Sequence, residues 1–294
     1  MNNLHGIILI IVSMAFFALE DMFIKQLSGV MPVWQILMCL GIGGALILAG
    51  FALVQRQSLF APEAWTPVLV LRTLCDAASA MSFATALSLV DLSTVAAVFQ
   101  TTPLAVTMGA AIFFREQVGW RRWSAIGVGF SGVLLIIRPG MEGFEPSALL
   151  VLLAVVTIAA RDLLTRVVDV KVSSTVMSFQ GFISLLLAAV GLSLINPAPA
   201  ALPDATGQLM LLVGVITGLI GYCALVVATR IGEASVVTPF RYSRLLFSIA
   251  AGMFMFGERP DTLTMAGATL IIGSGIYTFL RERKAARVAL AAAA

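Results

Sequence analysis

Histidine is almost missing from this sequence: its 294 residues hold a single one, His5, together with only three cysteines. Cys39, Cys75 and Cys223 stand far apart inside apolar runs, a spacing from which neither a disulfide frame nor a metal site can be built. Charge is scarce as well, at 11% of residues, less than half of the roughly 25% that a soluble globular domain carries. Catalytic arrangements built on His, Ser or Asp are lacking, as are metal clusters and Walker motifs. Neither a membrane enzyme nor an ATP-driven machine is therefore expected, and no cofactor. The formal net charge of +3 and pI near 9.0 fit basic loops on one face of a membrane, and no nucleic-acid partner is expected.

What the sequence does have is apolar length. Hydrophobic residues make up 60% and the mean hydropathy is +1.03, so the bilayer is the solvent, and about 20 apolar residues suffice for one crossing. Runs broken by Pro, Gly and charge clusters predict spans from Leu4 to Leu27, Pro32 to Val54, Pro67 to Leu89, Leu92 to Phe114 and Trp123 to Ile137. A second set runs from Ser147 to Val168, Ser173 to Ile195, Gln208 to Thr229, Ala234 to Phe256 and Thr262 to Leu280. The first run has no basic leader and no small-residue cleavage site and ends in Glu20 and Asp21, so it reads as a retained helix. The alanines after Arg287 read as a frayed tail, residues 285–294.

Counting basic residues loop by loop puts eleven on the side that holds both termini: Arg56, Arg115, Arg121, Arg122, Arg166, Lys171, Arg230, Arg281, Arg283, Lys284 and Arg287. The other side has three, Lys25, Arg138 and Arg259, which predicts cytoplasmic termini in a bacterial inner membrane. Trp34, Trp65, Trp120 and Trp123 all fall at predicted helix ends, as interfacial anchors do.

The chain also matches itself. Asp91 to Glu116 aligns without a gap on Glu233 to Glu258 at an offset of 142, with identities at Ser93/Ser235, Val95/Val237, Leu104/Leu246, Phe114/Phe256 and Glu116/Glu258. Ala18 to Lys25 aligns on Ala159 to Arg166 at nearly the same offset, pairing Asp21 with Asp162 and Lys25 with Arg166. Two aligned regions in one order indicate a duplication. The predicted fold is an all-α integral membrane protein of ten transmembrane helices, with repeats over residues 1–140 and 141–284. Five helices per repeat is an odd number, so the second copy lies inverted, an arrangement that puts a substrate site where the halves meet.

The remaining charges lie inside apolar runs: Glu20, Asp21, Arg72, Asp76, Arg161, Asp162, Arg241 and Arg244. At the centre of a lipid-facing helix each would cost roughly 2.5–3.5 kcal/mol, so they turn inward to partners or to a water-filled cavity. Arg72, Asp76, Ser79 and Phe83 form one helical stripe, in which Arg72 and Asp76 are spaced for their own salt bridge. Arg241 and Arg244 share a face with no acid of their own, just after Pro239. Their partners are Glu20, Asp21 or Asp76, or a bound carboxylate or phosphate. Glu20 and Asp21 are candidates to bind an amine or take a proton, or else to pair with an arginine. Phe99 and Gln100 align with Arg241 and Tyr242, so each copy places an aromatic and a polar group at matching depth, for packing or for substrate. The glycines Gly127, Gly129, Gly132, Gly267, Gly273 and Gly275 read as close helix packing.

The run from Ser82 to Pro103, followed by Arg115-Glu116 and Gly127-x4-Gly132, resembles an EamA-type repeat of the drug/metabolite transporter superfamily. The second copy, closing with Gly257-Glu258, looks like its partner, although Leu245 stands where the first copy has Pro103. The likeness covers essentially the whole chain and is closest to bacterial amino-acid exporters of the YddG kind. It implies alternating-access export of small polar metabolites, aromatic amino acids among them, with a proton or a counter-substrate as driving partner. Arg241 and Arg244 also resemble arginines of relatives that carry anionic or nucleoside-bearing metabolites such as S-adenosylmethionine. A passive channel is the remaining alternative, distinguished by flux that does not saturate.

Overall fold

Proline and small polar caps set where several helices of this computed structural model begin. It describes residues 3–116, 119–141, 144–167, 172–231 and 237–293. The α-helices are α1 (Asn3–Leu27), α2 (Val33–Val54), α3 (Pro67–Leu89), α4 (Leu92–Phe99), α5 (Thr102–Phe113), α6 (Trp120–Ile137), α7 (Leu149–Arg166), α8 (Ser174–Ile195), α9 (Ala205–Ile231), α10 (Ser243–Phe256) and α11 (Thr262–Ala293). Pro32 precedes α2 and Pro67 opens α3, where the missing N–H is not needed. Thr66, Ser173, Asp204 and Asp261 accept from backbone N–H groups in the first turns of α3, α8, α9 and α11.

Among the described residues, eight segments are long and apolar enough to cross a membrane. The predicted fourth span is one of them, but its helix breaks at Gln100 and Thr101 into α4 and α5. Pro103 has no N–H to return to Phe99, and the hydroxyls of Thr101 and Thr102 take up the carbonyls of Val98 and Phe99 instead. The predicted fifth span starts earlier than expected, at Trp120, so Arg121 and Arg122 dilute the apolar content of α6. The predicted ninth span falls partly outside the described residues. What is described of it is a 3-10 turn, Thr238–Tyr242, opened by Pro239, and then α10. The C-terminal helix α11 continues to Ala293, so the expected frayed tail after Arg287 is helical.

Packing pairs the halves. α1 lies against α9 and α3 against α7, α1 also touches α10 while α7 touches α5, α3 touches α8 while α2 touches α9, and α2 with α8, α6 with α11 and α4 with α10 are the other large interfaces. Exchanging the first-half helices for their second-half counterparts maps this list onto itself. Loop contacts group the ends: Gln55 and Gln57 meet Thr175 and Ser173 on the face where α1 begins, while Trp34, Gln35 and Arg138 meet Ala198, Ala201 and Asp261 on the other. Outward positions are apolar, as at Phe254, 87% exposed, and the charges lie within, the polarity expected of a multi-pass membrane protein.

The glycines divide. A Cβ on Gly132 would stand 2.7 Å from the Gly267 carbonyl and one on Gly267 2.5 Å from that of Gly132, so α6 and α11 touch backbone to backbone. Gly129 and Gly275 are also closely covered, whereas Gly127 and Gly273 face open space and pack against nothing, contrary to expectation. Gly267→Ala is therefore expected to lower stability by roughly 1–3 kcal/mol through forced separation, and Gly127→Ala to leave it unchanged or slightly raised. Thermal unfolding in detergent checks both, and equal melting temperatures for the two variants would contradict the assignment.

Candidate functional site

Asp21 sits on α1 with its side chain turned into the bundle, and Arg244 reaches it from the first turn of α10. The guanidinium donates through Nη2 to both carboxylate oxygens, at 2.7 and 2.8 Å, and through Nε at 3.1 Å. The rings of Phe17, Phe83 and Phe99 surround the same guanidinium at 5.3, 5.4 and 5.5 Å, and Phe83 and Phe99 pack on each other at 4.6 Å. Charge-assisted hydrogen bonds hold one edge of Arg244 while the aromatic quadrupoles stabilise its faces. Of the acids predicted as partners of Arg244, the structure selects Asp21.

A second cluster lies across the bundle. Arg161 Nε stands 3.1 Å from Asp162 and 3.7 Å from Asp76, and Ser184 Oγ donates to Asp76 at 3.2 Å. The Arg72–Asp76 bridge allowed by their spacing does not form. Arg72 is 2% exposed and donates through Nε to Thr165 Oγ1 at 2.9 Å, leaving Nη1 without a hydrogen-bond partner. Ser79, a turn further on, donates to the Ala154 carbonyl. The helix-3 stripe thus divides: Arg72 and Ser79 bind α3 to α7, and Asp76 and Phe83 join the two charged clusters.

Two charged side chains remain. Glu20 makes no hydrogen bond or ion pair with a described residue, and its carboxylate rests against Gly218 of α9, where an added Cβ would meet Oε1 at 2.4 Å. The Arg241 guanidinium likewise has no bonded partner among the described residues. Its electrostatic neighbours are Asp162, Arg161, Arg244 and Tyr222. Both are only half-buried although they lie within the bundle, so each addresses space that water or a ligand can occupy.

Arg241 also marks where the repeats meet. Gln100 Nε2 donates to its carbonyl at 3.0 Å, joining the break between α4 and α5 to the turn before α10. Phe99 belongs to the Arg244 cage. Tyr242 does not join the charged clusters: its hydroxyl is buried against Gly275 without a hydrogen-bond partner, beside a cavity of about 50 Å³ lined by Pro103, Thr107 and Thr278. Phe17, Ser184 and Tyr222 were not singled out from the sequence. Phe17 lies one turn before Asp21, a spacing that signals a shared face, whereas nothing local signals the other two.

The profile of the EamA-like transporter family matches residues 4–138 and again 146–280. An S-adenosylmethionine uptake transporter of Rickettsia bellii is 29% identical over 74% of this chain and 74% of that protein. A riboflavin transporter of Rhizobium johnstonii is 30% identical over 65% and 63%, and the pseudopaline exporter CntI of Pseudomonas aeruginosa 23% over 91% and 93%. Solved structures share the fold, among them a protein with a TM-score of 0.64 at 18% identity over 96% of this chain and 99% of its own.

Asp21 is 3% exposed, and neutralising one member of so buried a pair strands the other. Asp21→Asn is expected to cost roughly 3–5 kcal/mol, and Asp21→Asn/Arg244→Gln to recover most of it. Denaturant titration of the purified variants measures both. A double variant no more stable than Asp21→Asn would show that the pair is not the unit of stability.

Proposed function

Because the chain belongs to the EamA-like transporter family, we propose that it is a secondary transporter that carries a small zwitterionic metabolite across a bacterial inner membrane by alternating access. The protein crosses the membrane ten times, as two inverted five-helix repeats over residues 1–140 and 141–284, with both termini cytoplasmic. Supporting the two crossings beyond the eight long apolar segments, the 18 residues of α6 reach about 27 Å, and the 5 residues of 3-10 turn with the 14 of α10 about 31 Å, against a hydrocarbon core of about 30 Å. The self-mapping packing supports the repeats, and the eleven-to-three basic count supports the orientation.

The unpaired guanidinium of Arg241 carries the substrate reading. Inside a bundle where Arg244 and Arg161 have carboxylates, an arginine with no bonded partner among the described residues is a seat for a substrate carboxylate. Glu20 is the corresponding seat for an ammonium group, and Phe17, Phe83 and Phe99 supply aromatic surface between the two clusters. Together they fit amino acids, aromatic ones included, moved outward. A second reading keeps the seats and enlarges the substrate to a nucleoside-bearing zwitterion. The Rickettsia relative named for S-adenosylmethionine uptake favours it.

Proteoliposome flux against a panel of amino acids, S-adenosylmethionine and anionic metabolites, with and without a pH gradient, separates these readings. Saturable flux is expected for zwitterions and not for compounds carrying an anionic group alone. Arg241→Gln is expected to purify as a stable monodisperse species without flux, and to stay inactive when Glu20, Asp21 or Asp76 is neutralised beside it. Full flux in the single variant, or flux regained in a double one, would make Arg241 a structural charge.

A further inference from the structure

Two ion pairs at opposite ends of the bundle are copies of one another. Lys25 aligns with Arg166 and Glu258 with Glu116, and the structure joins Lys25 to Glu258 at 3.8 Å and Arg166 to Glu116 at 3.2 Å. The same turn delivers both glutamates. Gly257 and Arg115 adopt left-handed backbone (φ 65° and 53°), and the following N–H groups of Glu258 and Glu116 return to the carbonyls of Gly252 and Ala110 at 3.0 and 3.4 Å.

Their surroundings are not copies. Glu258 is buried, with a side chain 4% exposed, and it docks on the start of α4: Oε1 accepts from the Leu92 N–H at 2.6 Å, and Oε2 from the Ser93 N–H at 3.0 Å and the Ser93 hydroxyl at 2.7 Å. Lys25 Nζ donates to the Val90 carbonyl at 2.6 Å, where α3 ends. A carboxylate from the second repeat thus caps a helix of the first, with favourable helix-dipole alignment, while an ammonium group holds the preceding helix end. At the other face both Glu116 and Arg166 are 48% exposed. Side-chain exposure falls inward from there, 32% at Asp162, 20% at Arg161 and 4% at Asp21.

We infer that Lys25 and Glu258 form a latch that seals the transport path at their face, and that Glu116 and Arg166 are its counterpart, still paired but exposed here and buried when the opposite face closes. The inference rests on the alternating-access reading and names the groups that alternate. Glu258 must leave the Leu92 and Ser93 N–H groups for a substrate to pass that face. These residues position the helices and do not touch substrate.

The test is accessibility. In a Cys39→Ala/Cys75→Ala/Cys223→Ala background, Ala80→Cys places a half-buried thiol on α3 between Asp76 and Phe83. It is probed with a membrane-impermeant maleimide in right-side-out and inverted vesicles. The parent is expected to label in inverted vesicles only. Glu258→Gln is expected to raise right-side-out labelling at least ten-fold and Lys25→Gln to raise it by less, while Glu116→Gln leaves it at the parental level. The exchange Lys25→Glu/Glu258→Lys is expected to stay unsealed, because lysine cannot accept from the α4 N–H groups. Parental labelling in both Glu258→Gln and Lys25→Gln overturns the latch. So does a seal restored by the charge exchange, or a rise in right-side-out labelling with Glu116→Gln. No substrate is needed, so altered labelling beside a silent flux panel would sink the zwitterion reading and leave the latch standing.

Discussion

A guanidinium inside an apolar bundle has to find an acceptor, and Arg244 finds Asp21 from 223 residues away. That contact draws α10 onto α1, gathers Phe17, Phe83 and Phe99 around one cation, and fixes the level at which the two repeats meet. Once Asp21 is committed, Arg241, one turn earlier on the same chain, is left half-buried without a bonded partner among the described residues. Arg161 takes Asp76 and Asp162 by the same logic, which leaves Glu20 as the other uncommitted charge. The interior is therefore polar in two senses. Some charges are locked together and give the bundle its shape, and two, Glu20 and Arg241, have no bonded partner among the described residues.

The parts legible in the sequence were those with a local signature. Apolar length and proline punctuation located the helices. The duplication was visible because Asp21 with Asp162 and Glu116 with Glu258 kept their spacing. Partner choice was not legible. Arg72 and Asp76 are spaced for a helical salt bridge, yet Arg161 competes for Asp76 from another helix and Thr165 takes the Arg72 Nε. Spacing along one helix says what is within reach but nothing of what approaches from outside. For the same reason Lys25 and Glu258 read as loop charges until the fold brought the start of α4 beneath them.

Glycine shows the same divide at smaller scale. All six glycines of α6 and α11 look alike as small residues at helical intervals, but only four of them are pressed by a neighbour. Gly132 and Gly267 let two carbonyls come close, while Gly127 and Gly273 look outward. Which stripe of a helix faces a neighbour depends on its rotation about its axis, and on helices apolar all round nothing in the pattern of small residues determines that rotation.

The broken helices show how two unequal sequences produce one geometry. The first copy carries its proline at 103, after the break, and the second at 239, before it. Pro103 aligns with Leu245, so the prolines are not equivalent. Even so, regular helix resumes at Thr102 in one copy and Ser243 in the other, aligned positions to within one residue. Both breaks supply their own hydroxyls: Thr101 and Thr102 bond the Val98 and Phe99 carbonyls, and Ser243 bonds that of Phe240. Irregular backbone at membrane depth is tolerable only where it is buried in protein or lines a cavity. Gln100 completes the arrangement by bonding the Arg241 carbonyl across the repeat boundary. A tie from one break to the other means that a change in the pitch of either helix is felt by both, at the same level as the unpaired Arg241 guanidinium. The charge without a bonded partner among the described residues and the irregular backbone before α10 thus belong to one stretch of chain.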